Sequence, residues 1–266
     1  MARPTRYLFI GGLHRSGTSL VARMAARVPG ATGIEGAPVP ENEGVYLQGA
    51  IAHDALAGAP MRFATDPAQH LTEAHPLNRL ETRVRLAADW DPWFPEGAAW
   101  RVEKSPVNLT RMRLLQQLFP LSQFVVVIRH PEAVAAAVAK WVDDPAPALI
   151  DHWLDAHDIV AADIDRLHAI LVLRYEDVVA RPDAIRAALG AFLDRGTAVP
   201  PRAEATRDGN RDYPDAPVMT DGQALRASAW GYAPGRGVAA WPPILRHPLR
   251  SVRDATTAAL GGQSSK

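Results

Sequence analysis

Residues 11–19, Gly11-Gly12-Leu13-His14-Arg15-Ser16-Gly17-Thr18-Ser19, place three glycines, one arginine and three hydroxyl side chains in nine positions. An apolar run, Tyr7 to Ile10, leads in, and a helical pattern follows. Strand, glycine turn and helix start make an anion cradle. The glycines let backbone approach a ligand, and the first N–H groups of the helix point at it. The lysine that a triphosphate-binding loop puts at the position of Thr18 is absent, and the loop's one cation is Arg15. Two more basic residues, Lys104 and Arg129, end apolar runs of their own. In an open parallel sheet, ligands bind outside the carboxyl ends of the strands. If the three runs are neighbouring strands, Arg15, Lys104 and Arg129 share one rim, a place for a multiply anionic ligand. Singly, each would pass for an ordinary surface or strand-end cation. A group transferred there to a hydroxyl needs a base over the same rim. Glu41 and Glu43 in "PENEGVYLQ", and His53 beyond them, have the right chemistry.

The elements that must position these residues show in the hydrophobic pattern. "YLFI" (7–10), "QFVVVI" (123–128) and "AILVLRY" (169–175) are continuous apolar runs, which suits strands buried on both faces. "WRVEKSP" (100–106) reads as a shorter strand and "TGIEG" (32–36) as another. Helical spacing is found over 18–28, 108–119, 131–142, 146–168 and 183–193. Strands alternating with helices predict a three-layer α/β/α fold with a central parallel sheet. The chain is read as one domain, 1–266. Residues 36–99 are an insertion capping the site, and 196–266 are a loop-rich C-terminal segment with a disordered end, "GGQSSK". Trp141, Trp153 and Leu154 are assigned to the core, and Trp90, Trp93 and Trp100 to the neighbourhood of the cap, with core packing preferred to stacking on a ligand ring. Glu103 and Glu176 are read as buried supporting partners. "HWLDAHD" (152–158) lacks a third ligand, so helix packing is preferred to a metal site.

Among 266 residues, 29 basic and 29 acidic side chains cancel. That argues against bulk attraction to nucleic acid or anionic membrane, while allowing a local basic pocket. Cysteine is absent, which excludes disulfides, thiolate metal sites and cysteine catalysis. With no spanning segment and no signal-like N-terminus, a cytoplasmic protein is expected.

"GGLHRSGTSL", "EKSPVNLTRMRLLQQLFP", "FVVVIRHPEAVAAAVAKW" and "LVLRYEDVVARP", in that order, resemble the motifs of bacterial sulfotransferases that use 3′-phosphoadenosine 5′-phosphosulfate. They are similar also to the heparan-sulfate sulfotransferases. The resemblance spans roughly residues 6 to 195. It implies that Arg15, Ser16, Gly17, Thr18 and Ser19 form the 5′-phosphosulfate loop, Arg15 standing where the family carries lysine. It implies that Arg129 binds the 3′-phosphate, that Lys104 stabilises the bridging oxygen, and that Glu43, second glutamate of an "ENE", is the base. Glu41 and His53 remain as alternatives. Arg236, in "APGRGVAAW", takes the place of a late cation that closes over the nucleotide. The family's serine eight residues after the arginine is Ala137 here. A hydrogen bond to a charged group, worth about 1.5–3 kcal/mol, is thereby lost. Lys140, one turn on, offers a substitute.

The expected reaction is in-line sulfuryl transfer to a hydroxyl or amine, without metal, releasing adenosine 3′,5′-bisphosphate. The acceptor is a small molecule, carbohydrate or peptide. Two competitors stand beside it. A small-molecule kinase would need Glu176 or Asp177 to hold magnesium. A nucleotide-binding protein without catalysis has Ala137 as its hint.

Overall fold

In the computed structural model, which describes residues 6–53, 62–198 and 206–261, the apolar runs lie side by side in one sheet. Strands β1 (Arg6–Gly11), β2 (Ala31–Gly33), β3 (Trp100–Lys104), β4 (Gln123–Ile128) and β5 (Ile170–Arg174) are parallel, in the order β2-β3-β1-β4-β5. A separate hairpin joins β6 (Tyr232–Ala233) to β7 (Gly237–Val238), and β8 (Leu245–Arg246) pairs antiparallel with β5. The helices are α1 (Thr18–Ala26), α2 (Leu80–Trp90), α3 (Met112–Leu118), α4 (Pro131–Val138), α5 (Ala146–Ile164), α6 (Tyr175–Ala180), α7 (Pro182–Phe192), α8 (Asp221–Ala227) and α9 (Arg250–Gly261).

All six residues of β4 are buried, because the sheet is covered on both sides. Phe124, Val126 and Ile128 join a core with α3, α4 and α5, while Val125 and Val127 join a second core with α1, α7 and α9. Burying each such side chain is worth about 1.5–3 kcal/mol, so the strand cannot slip by one residue without inverting two packed faces. The three-layer α/β/α reading is therefore the observed fold. Residues 36–99 contribute Val45, Phe63, Leu86, Trp90 and Phe94 to the first core, against Tyr7 and Phe9 of β1.

Several element ends differ from expectation. The strand expected at 32–36 is Ala31–Gly33. The helix expected from 108 begins at Met112, after a buried 3-10 segment, Pro106–Thr110. There Asn108 ties the chain to the sheet by donating to the carbonyl of Ile10 (3.2 Å) and to Glu103 (2.5 Å). The helix from 131 stops at Val138, four residues early, and the chain turns Lys140 and Trp141 outward. The C-terminal segment read as loop-rich carries α8, the hairpin, β8 and α9. Trp100 packs in the second core, its indole N–H donating to the carbonyl of Leu193 (3.0 Å). Of "GGQSSK", residues 262–266 lie outside the described residues.

Candidate active site

The register Ile10↔Lys104 on one side of β1 and Gly11↔Val126 on the other sets the ends of β3, β1 and β4 side by side. The three cations therefore leave the sheet from adjacent strands, as the sequence implied. After β1 the loop turns tightly, with the Ser16 amide donating to the carbonyl of Leu13 (3.1 Å). Arg15 and Gly17 both have left-handed backbone, φ 68° and 95°. For an arginine this conformation is strained, by roughly 1–2 kcal/mol. At Gly17 a side chain is excluded twice, since a Cβ would also stand 2.6 Å from the Tyr175 ring. Helix α1 starts directly after Gly17 with no side-chain cap, leaving its first amides available to an anion. The Ser16 hydroxyl is buried without a partner.

Arg129 is buried against this loop. Its Nη1 donates to the carbonyl of Arg15 (2.8 Å) and its Nε to Oδ1 of Asn210 (2.7 Å). The guanidinium lies over the rings of Tyr175 (4.6 Å) and Tyr213 (5.6 Å). Its Nη2 is buried and unpartnered, an expensive state that an anion would relieve. Arg15 reaches outward to the hydroxyl of Tyr213 (3.5 Å) and over the ring of Trp141 (5.6 Å). Trp141, expected in the core, is 45% exposed; it bridges Arg15 to Lys140, whose ammonium lies 5.7 Å from the same ring. Ala137 is fully buried. Arg236 Nη1 donates to the carbonyls of Asn210 (3.2 Å) and Tyr213 (3.1 Å), and its amide donates to Glu132 (2.7 Å). It fastens the turn that contacts Arg129.

On the other side of β1, Lys104 Nζ and Glu43 Oε1 form a buried ion pair at 2.9 Å. Burial pushes the Glu43 carboxyl above its ordinary value, and the Lys104 ammonium opposes part of that shift. Behind them lies Glu103, which accepts from Ser105 (2.6 Å), Asn108 (2.5 Å) and the amide of Gly44 (3.1 Å). A side chain at Gly44 would collide with that carboxylate, at 2.6 Å. The backbone just before Glu43 is left-handed at both Glu41 (φ 53°) and Asn42 (φ 52°). Glu41 accepts from the Ser19 hydroxyl (3.0 Å), which ties it to the loop. His53 packs edge-on against Tyr46, ring centroids 5.5 Å apart. Ser19, Glu41, Asn42 and Lys104 line a cleft of about 380 Å³.

The structure thus brings Glu43 to Lys104, Glu41 to Ser19 and Arg129 to the Arg15 loop. Sequence reasoning missed Asn210, Tyr213 and Tyr175. The first two lie in an irregular stretch with no periodicity to mark them. Tyr175 was visible only as the end of a strand. Glu176 accepts from the His130 amide (3.0 Å), Asn210 (2.9 Å) and Tyr232 (2.9 Å), the supporting role expected of it. His157 is buried and stacked on Trp153 (3.8 Å), in keeping with helix packing.

Solved structures similar to the chain include two sulfotransferases. One is the sulfotransferase domain of the Synechococcus PCC 7002 olefin synthase, at 15% identity, covering 100% of this chain and 98% of that one, TM-score 0.47. The other is the sulfotransferase STF1 of Mycobacterium tuberculosis H37Rv, at 15% identity, 73% and 68% coverage, TM-score 0.43. No curated protein matches the sequence. A family model described as "Sulfotransferase family" matches residues 8–198, from β1 through α7. By that match, over well more than half of its length, the chain belongs to the sulfotransferase family.

Proposed function

We propose that the protein transfers a sulfuryl group from 3′-phosphoadenosine 5′-phosphosulfate to an acceptor hydroxyl or amine and releases adenosine 3′,5′-bisphosphate. One observation carries the reading. A buried acid–base pair, Glu43 with Lys104, stands across β1 from the buried Arg129, whose Nη2 has no hydrogen-bond partner among the described residues; the buried Ser16 hydroxyl on the loop between them has none either. In this reading the loop 15–19 and the N-terminus of α1 hold the phosphosulfate, and Arg129 holds the 3′-phosphate through its spare Nη2. Glu43 takes the acceptor's proton as the acceptor oxygen bonds to sulfur. The bond from sulfur to the bridging oxygen breaks, and its electron pair leaves with the bisphosphate. Lys104 meets the charge growing on that oxygen. Residues 36–99 supply the base, and the C-terminal segment closes over Arg129 as part of one domain. The acceptor is a small molecule, carbohydrate or peptide. No helix among the described residues is long and apolar enough to cross a membrane, and we place the reaction in the cytoplasm.

The kinase reading needs Glu176 or Asp177 for magnesium. Glu176 is already bonded to three groups, and Asp177 is paired with Arg174 (2.8 Å) and Arg181 (3.5 Å). The deciding experiment is calorimetry with adenosine 3′,5′-bisphosphate against ADP plus magnesium. The bisphosphate should bind without metal, and Arg129→Ala should abolish that binding. Preference for ADP with magnesium would overturn the proposal.

A further inference from the structure

The sulfotransferase reading leaves the acceptor open, and the cleft beside Lys104 narrows the choice. At about 380 Å³ it has the size of a small-ligand site, too small for a long polymer to be its main occupant. Apolar groups from Ala22, Ala26, Ile34 and Val102 line it beside Ser19 and Lys104. Arg23 in the last turn of α1 and Arg27 at its C-cap line it too, about 6 Å apart along the axis. Both are exposed, and neither has an ion-pair partner among the described residues, although Glu35 and Glu41 border the same cleft. Glu41 is occupied at the loop by Ser19. Cations near a helix C-terminus are common on open surfaces. Here two of them border a half-open cleft that the candidate catalytic lysine shares.

We infer that the acceptor is a small hydroxylated molecule bearing an oxyanion, a carboxylate or a phosphate monoester. The Arg23–Arg27 pair holds the oxyanion while the hydroxyl reaches Glu43. The inference rests on the sulfotransferase reading for the direction of transfer, but not for the oxyanion site itself.

The test uses the full-length protein, saturated with adenosine 3′,5′-bisphosphate, and three probe series of graded chain length. These are ω-hydroxyalkanoates, ω-hydroxyalkyl phosphates and the neutral ω-hydroxyalkanamides, titrated by calorimetry. One of the anionic series should bind about tenfold tighter than the amide of equal length, and which one does so distinguishes carboxylate from phosphate. The Arg23→Gln/Arg27→Gln variant should erase that gap and leave bisphosphate affinity unchanged. Anions that bind no better than amides at any length, or a gap that survives in the double variant, would overturn the inference. If the bisphosphate fails to bind while the arginine-dependent gap persists, the oxyanion site stands and the sulfotransferase reading falls.

Discussion

Glu43 and Lys104 hold each other in the state described, so each sets the other's chemistry. Burial lifts the Glu43 carboxyl above its ordinary 4.5, and a base works only when deprotonated. The rate should therefore rise with pH through that raised value, giving an acidic limb above the usual carboxylate range in the pH profile of kcat/KM. Glu43→Gln should lower turnover by about 10²–10⁴-fold and leave bisphosphate binding no weaker; near-normal turnover would remove Glu43 from the mechanism. Lys104→Met deletes the charge that favours ionised Glu43. The stability deficit of this variant should grow as pH rises through the further-raised Glu43 pKa, because the folded state then buries an unpaired carboxylate. Adding Glu43→Gln should cancel that pH dependence in urea titrations. At Arg129, lysine would keep the charge but lose the fork that reaches Arg15 and Asn210 together. Arg129→Lys should weaken bisphosphate binding by at least about tenfold, read by calorimetry.

Elements with strong periodicity or a glycine signature were legible before any coordinates. β1, β3, β4 and β5, the loop at Arg15 and helix α1 all lie where the pattern put them. What failed was local. The helix expected through residue 142 ends at Val138, and beyond it Trp141 carries Arg15 of the loop and Lys140 over its ring. The partners of Arg129 were illegible because Asn210 and Tyr213 arrive from a stretch whose placement depends on Glu132. That buried carboxylate takes the amides of Met219, Gly235 and Arg236 at 2.7–3.0 Å. Sequence spacing carries no trace of such long-range bonds. One element-level prediction concerns α5. Burial holds the His157 imidazole down to about 4, so the unfolded chain takes up its proton first as pH falls. Stability should drop by up to about 3 kcal/mol between the unfolded value near 6.5 and pH 4. His157→Leu should flatten that part of the pH–stability curve in denaturant titrations, whatever its effect at neutral pH.

Over the whole molecule, the family match ends at residue 198, yet the C-terminal segment supplies Asn210, Tyr213, Arg236, the antiparallel edge strand and α9, whose last turn accepts from Arg181 at 2.8 Å. A chain cut after residue 198 should lose bisphosphate binding and cooperative unfolding together. Retention of both by the truncated protein would show that the segment is an appendage. Another feature reaches across the molecule. Glu41 grips Ser19 on the loop while Glu43, two residues on, grips Lys104. An anionic guest on the loop brings negative potential toward both carboxylates and competes for the lysine. Glu43 then becomes a weaker acid and takes a proton from the buffer. By thermodynamic reciprocity, acid must tighten the guest by the same factor. Bisphosphate binding would then be proton-coupled. Its apparent heat should vary linearly with the ionisation enthalpy of the buffer, the slope counting the protons absorbed.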